Sequence, residues 1–505
     1  MKFTLMVLAA SGLVEAALWM PVLWKYKRLY AHFLLLALAI ITGLIFNRLP
    51  AGWLILIAVT SIYRAVNLNR VIEGRMHPEY LKRVTRKTSC SLVLLQLVFC
   101  LLAIISSQLL WNWNFWSRGL SAISLAGALV VLYSTIRNVS RMRTTRDIAP
   151  LADRDMPTLS VCIPARNETE DLENCLRSLI KSSYQKLEIL VVDDCSQDKR
   201  TSEIIRGYAH DGVRFISGET PNDSWLAKNY AYEQLSRQAN GNLLLFCGVD
   251  TLFSPDTIKL LVETMMLKKT SMISIMPANV LNAHNSKAAV VLQTVRYAWE
   301  LCLPRRFFKR PPVLSTCWMI RRQAFDDAGG FRAVSRSVSP ERYFARSCVA
   351  NNSGYEFISS GEKIGLASNK NLTELGSTAI RTRYPQLHRR PEMIMLASLI
   401  ETALLVSPYF LLITFLLSGK YFLAGLSLVD TILLVISYRL VTRLAYRLTG
   451  LQSFYLQPIA SMYDIYLLNR SMWLYEFDEV VWKGRNVCLP VMHVTPSLPD
   501  LNKPT

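Results

Sequence analysis

No two of the ten cysteines stand in a Cys-x-x-Cys pair, and no stretch interleaves basic with aromatic residues as a nucleic-acid module does. The first absence argues against zinc sites and a disulfide framework. Cys162, Cys175, Cys195 and Cys247 read instead as small core residues of a domain in a reducing compartment. The second absence leaves no nucleic-acid partner, despite a formal net charge of +20. Acidic residues are scarce, 37 against 57 basic. Much of the basic excess lies beside apolar runs, where it reads as a topology signal and an attraction to anionic lipid.

Apolar length is what the chain has in plenty. At 505 residues and 51% hydrophobic content it is too long for one core and too apolar for an ordinary soluble enzyme. Apolar runs fall at roughly 3–23, 30–46, 51–63, 90–110 and 119–136, then at 393–417 and 421–438. Most approach the ~20 residues a bilayer crossing needs; the run at 51–63 is short for one.

Short basic loops stay on the cytoplasmic side, and such loops alternate with loops holding only Arg48 and Arg118. The expected layout is an N-terminal membrane region of about five helices (1–140) with its N-terminus outside, then a cytosolic domain (157–390). C-terminal transmembrane helices follow (391–440), then an interfacial or re-entrant helix and cytosolic tail (441–505), the whole in the plasma (inner) membrane. Pro458, Asp464 and Arg470 in the last apolar stretch argue against a crossing there, which would carry Trp482 to Arg485 outside. Glu15 and Asp430 are costly in lipid and are expected to face the bundle.

Between the membrane segments the pattern changes. Ser160-Val161-Cys162-Ile163-Pro164-Ala165-Arg166-Asn167-Glu168 and Val191-Val192-Asp193-Asp194-Cys195-Ser196 are β-branched runs that stop at polar residues, as buried parallel strands do at the carboxyl edge of a sheet. Leu172, Cys175, Leu176 and Leu179 lie between them at helical spacing. A third strand near Val213 to Ser217, a helix from Trp225 to Arg237 and a strand Asn242 to Cys247 ending at Gly248-Val249-Asp250 complete a nucleotide-binding α/β pattern. Asp250 then stands at the ligand edge, where a divalent cation held by one or two carboxylates and by phosphate oxygens would balance a diphosphate.

Pro164-Ala165-Arg166-Asn167-Glu168, Asp193-Asp194-Cys195-Ser196, Trp225-Leu226-Ala227-Lys228, the strand ending in Asp250, and Ser315 to Phe331 with Gly329-Gly330-Phe331 follow one another in an order that resembles family 2 glycosyltransferases. The look is closest to the membrane branch with ceramide glucosyltransferases and hopanoid- or carotenoid-associated glycosyltransferases, whose tail Trp482-Lys483-Gly484-Arg485 also resembles. The resemblance implies a GT-A (Rossmann-like) α/β domain set between transmembrane helices. Its implied activity is inverting transfer of a sugar from a nucleotide diphosphate sugar, expected as a UDP-sugar, to a lipid acceptor with Mn²⁺ or Mg²⁺.

By the same resemblance Pro164, Arg166, Glu168, Asp193 and Asp194 face base and ribose, Lys228 joins the nucleotide-sugar site, and Asp250 holds the metal. Glu341, in Ser339-Pro340-Glu341-Arg342, stands on the second carboxylate of the family's catalytic box. Gln386 and Arg389 match the Gln and Arg of a box near the diphosphate or acceptor. Three positions depart from the pattern: Gly248 replaces the first Asp of Asp-x-Asp, Pro340 the first catalytic-box carboxylate, and Arg390 a tryptophan. A polysaccharide synthase and a catalytically silent scaffold stay open as alternatives, and Arg381, Arg383 and Arg390 also fit a basic cuff before a span.

Overall fold

A computed structural model describes residues 113–142, 151–222, 224–279, 297–305, 310–360, 364–368, 372–387, 389, 391–446, 452–476 and 480–488. The first four apolar runs, Glu15 and Arg390 lie outside the described residues. The chain divides into two compact units, residues 1–120 with 390–399, and residues 121–389 with 400–505. Among the described residues, three helices are long and apolar enough to cross a membrane: Ser117–Arg141, Leu396–Leu417 and Tyr421–Leu444. The first belongs to α1 (Trp113–Arg141). Asp430, within the third, is 1% exposed.

The second unit carries a seven-stranded mixed sheet in the order β3-β2-β1-β4-β8-β6-β9. Its first half alternates strand and helix: β1 (Leu159–Ala165), α2 (Glu170–Ile180), β2 (Leu187–Asp193), α3 (Lys199–Gly207), β3 (Val213–Ser217), α4 (Ala227–Gln238) and β4 (Leu243–Cys247). These four strands are parallel, so their carboxyl ends share one edge. The ladder from β1 to β4 stops at Cys162, so Pro164, with no N–H to give, is tolerated beyond it.

The second half departs from the parallel pattern. β6 (Met272–Met276) and β9 (Tyr355–Ser359) are parallel to each other, while β8 (Cys317–Arg321) runs antiparallel to both β4 and β6. A small sheet of β5 (Thr251–Leu252), β10 (Ala367–Ser368) and β7 (Ala278–Asn279) flanks the end of β4. The helices α5 (Thr257–Leu267), α6 (Arg322–Asp327) and α7 (Pro340–Ala350) complete the α/β domain.

Packing fixes the sheet from both faces. On one face Leu172, Cys175, Leu176 and Leu179 of α2 meet Val161, Ile163, Val191 and Leu245, as their helical spacing requires. On the other face an aromatic cluster joins α4 to α7. Phe331 stacks on Tyr232 at 5.3 Å, and Phe344 of α7 lies 5.5 Å from Trp318 of β8. Aromatic pairs of this kind add to area burial, and here they tie the Gly329-Gly330-Phe331 turn to the helix that bears Glu341.

Beyond the sheet, α8 (Leu372–Gln386) leads to α9 (Pro391–Glu401), α10 (Ser407–Leu417) and α11 (Tyr421–Tyr446). Then α12 (Gln452–Glu476) packs back along α8. The Tyr384 N–H donates to Ser471 Oγ at 3.1 Å, and the Tyr475 hydroxyl donates to the Arg381 carbonyl at 2.7 Å.

Candidate active site

The loops after β1 and β2 are built as one unit. Asn167 and Cys195 take left-handed backbone, φ 48 and 51, a conformation that short polar side chains can support by local bonding. Asn167 Oδ1 accepts from the N–H groups of Gln197 (2.8 Å) and Asp198 (3.3 Å), and the Asn167 N–H donates to Ser196 Oγ at 2.9 Å. Asp193 Oδ1 accepts from the Ser196 N–H at 3.0 Å, so this carboxylate closes its own turn. The Arg166 guanidinium donates to the carbonyls of Asp194 (2.6 Å) and Cys195 (2.7 Å).

A hairpin from the C-terminal region seats on those loops. β11 (Val481–Trp482) and β12 (Arg485–Asn486) are joined by Lys483-Gly484, both with positive φ (46 and 76), the signature of a two-residue hairpin turn that favours glycine. Arg485 Nη1 donates to both Asp194 carboxylate oxygens, at 2.7 and 2.8 Å, Lys483 pairs with Glu168, and Arg166 Nε donates to the Lys483 carbonyl at 3.0 Å. Burial pushes the Asp194 carboxyl above its ordinary range, against the pull of Arg485. Arg166, Glu168 and Asp194, expected at base and ribose, therefore hold the hairpin, and the hairpin forms one wall of the adjoining cavity.

That cavity has a volume of about 430 Å³, within the usual range for ligand sites. Lys228, Asp250, Glu341 and Gln386, four of the residues expected from sequence, line it together with Gly248, Trp225 and the hairpin's Trp482. Pro164 at the end of β1 and Asp193 at the end of β2 do not belong to its lining. Arg389 goes elsewhere: its guanidinium lies 5.2 Å from the Tyr475 ring centre and donates to the Cys488 carbonyl at 3.2 Å, so it clamps the hairpin's exit. The Arg381 guanidinium stacks over the Trp482 ring at 4.6 Å.

Glu341 sits in the first turn of α7 and is 4% exposed. Two residues not foreseen from sequence place it. Asn229 of α4 donates to the carbonyls of Val334 (2.9 Å), Ser335 (3.2 Å) and Ser337 (2.8 Å), fixing the chain that enters α7. Glu300 receives Arg342 at 2.7 Å and Arg305 at 3.0 Å, and so anchors the residue next to Glu341. Burial, and then the charges of Cys247 and Glu341 among others, push the Tyr232 phenol well up, which keeps it a neutral donor to the Cys247 carbonyl at 3.2 Å.

The far end of the cavity is formed by α8 and α12. Leu375, Ala379 and Leu467 give an apolar wall there, beside Trp299 and Arg383. Asp464 of α12 binds both, accepting from Trp299 Nε1 at 2.6 Å and pairing with Arg383 at 2.7 Å.

Among the described residues no group of three or more His, Cys, Asp and Glu side chains is placed to hold a metal. Asp250 alone fits a divalent cation of the kind that takes one protein carboxylate and completes its shell with substrate phosphates. Residues 160–329 match the family model described as glycosyl transferase family 2. Over this stretch the chain is similar to family 2 glycosyl transferases.

Relatives include a probable glycosyltransferase YdaM of Bacillus subtilis (strain 168), 25% identical over 185 residues that make up 35% of this chain and 44% of the relative. A 4,4'-diaponeurosporenoate glycosyltransferase of Staphylococcus haemolyticus (strain JCSC1435) is 34% identical over 93 residues, 18% of this chain and 24% of that one. The chain thus spans less than half the length of either relative. Among solved structures, the mannosyltransferase PcManGT from Pyrobaculum calidifontis, in complex with GDP-Man and Mn²⁺, aligns over 71% of this chain and 98% of its own at 14% identity and a TM-score of 0.43.

Proposed function

We propose that this chain transfers a sugar, with inversion, from a nucleotide diphosphate sugar, a UDP-sugar by the sequence reading, to an acceptor drawn from the lipid phase. The observation that carries this reading is one cavity that joins Asp250 and Glu341 to the apolar wall of α8 and α12. The donor lies at the Asp250 and Lys228 end, against Trp225 and the hairpin. The acceptor enters along Leu375, Ala379 and Leu467, with the sheet domain on the cytosolic side of the plasma membrane and α12 lying in the interface.

Glu341 takes the proton from the acceptor hydroxyl as its oxygen bonds to the anomeric carbon, and the nucleotide diphosphate departs from the opposite face of the sugar. Lys228 and Gln386 hold the donor's phosphates and sugar by charge and hydrogen bonds. Mn²⁺ or Mg²⁺, held by Asp250, would supply countercharge to the departing diphosphate.

Membranes containing the chain, given radiolabelled UDP-sugars and GDP-mannose in turn, are expected to yield label in the organic extract. Label in polymer instead points to a polysaccharide synthase. Gly248 is the observation that favours a silent scaffold, and donor binding without transfer to either fraction selects it. For Asp250→Asn we expect about tenfold weaker calorimetric binding of the sugar nucleotide in Mn²⁺, since a single carboxylate would anchor the ion. Equal affinities for wild type and variant, with and without EDTA, would take Asp250 out of the metal site.

A further inference from the structure

Gly248 reads as a loss when Asp-x-Asp is the standard, but its surroundings give it a use. The Asp250 carboxylate turns back over it: a Cβ added at Gly248 would meet Asp250 Oδ1 at 2.5 Å, closer than real Cβ contacts come. The other oxygen, Oδ2, accepts from the Ser368 hydroxyl at 2.9 Å. Ser368 is 4% exposed and lies on β10, whose pairing with β5 places Ser368 opposite Thr251, the residue that follows Asp250. One oxygen is therefore held from behind by a buried hydroxyl, while the other occupies the volume that a side chain at 248 would take.

We propose that Ser368 is a positioning residue for the Asp250 carboxylate, and that the bare Gly248 is the space this pose requires. The inference rests on the donor-site reading given above. A hydroxyl bonded to one oxygen of a ligating carboxylate fixes its orientation, and outer partners of this kind typically carry 10- to 100-fold in metal affinity. On this account Gly248 and Ser368 act as a pair. Restoring an aspartate at 248 does not rebuild a two-carboxylate site, because the new side chain and Asp250 compete for the same volume.

The test uses the full chain in detergent, with Mn²⁺ uptake in the presence of UDP, and separately of GDP, followed by electron paramagnetic resonance and calorimetry. Ser368→Ala is expected to weaken Mn²⁺ uptake at least tenfold, and Ser368→Thr, which keeps the hydroxyl, to restore most of it. Gly248→Asp is expected to bind Mn²⁺ more weakly than wild type. Melting curves without metal separate these effects from unfolding, since the Ala and Thr variants should then melt alike.

Wild-type affinity in Ser368→Ala, or tighter binding in Gly248→Asp, overturns the proposal and leaves the donor site standing. A wild type that takes up no Mn²⁺ with either nucleotide overturns the donor-site reading, and this proposal with it.

Discussion

Glu341→Gln is expected to lower single-turnover transfer by about 10²-fold or more while donor binding survives. The magnitude follows from general-base catalysis, which contributes roughly 10²- to 10⁴-fold. The amide keeps the shape of the carboxylate but cannot accept the acceptor's proton. The residue is buried in the first turn of α7 and lines the cavity, so a loss of turnover has a structural rival, namely collapse of that turn. The comparison of binding with chemistry separates the two, because a misfolded helix loses both while an absent base loses only the chemical step. Near-wild-type turnover in the variant would move the base elsewhere.

Residue pattern revealed one half of the sheet and left the other half hidden, for a physical reason. Parallel strands buried on both faces read as β-branched runs ending at polar residues, and Val213–Ser217 emerges with the expected limits. The helix after β3 begins at Ala227, two residues later than its apolar pattern suggests, because Trp225 and Leu226 belong to the entry turn, where the Leu226 N–H donates to the Ser335 carbonyl at 2.9 Å. The antiparallel direction of β8 is not in its five residues. A short apolar run has no polarity of its own, and the crossing from β6 decides it.

The site divides along the same line. Asp250 follows a strand end and is legible in the residue pattern itself, whereas Lys228 and Glu341 in the first turns of α4 and α7, and Gln386 at the end of α8, come from the family resemblance. Asn229 and Glu300 work through partners that only folding brings near, Ser337 at 108 residues' separation and Arg342 at 42. No local pattern marks a buried carboxylate as the anchor of two arginines. The hairpin is the extreme case: Arg485 and Asp194 are 291 residues apart, and the Trp482 to Arg485 resemblance says nothing of the loops it docks on.

Arg485→Ala is expected to release that hairpin from the domain. The Asp194 side chain is 5% exposed and Arg485 21%, so the pair is shielded from solvent, and removing the guanidinium strands a buried carboxylate. Breaking such a pair from one side costs about 3–5 kcal/mol, which is two to three and a half decades in an equilibrium constant at about 1.4 kcal/mol per decade. Two further ties at the turn, the Lys483 pair with Glu168 and the Arg166 bond to the Lys483 carbonyl, do not reach the Asp194 carboxylate, so neither offsets the charge left buried there.

Hydrogen exchange over residues 480–488 should therefore quicken by at least about 100-fold, the lower end of that cost. Donor affinity should fall with it as Trp482 leaves the cavity wall. Adding Asp194→Ala to the variant should recover part of the stability, because the stranded charge is gone, but not the donor affinity, because the hairpin still lacks its anchor. Unchanged exchange in Arg485→Ala would mean that the hairpin is held chiefly by Arg389 at Cys488 and by Arg381 over the Trp482 ring, and that the Arg485 pair follows the docking without driving it.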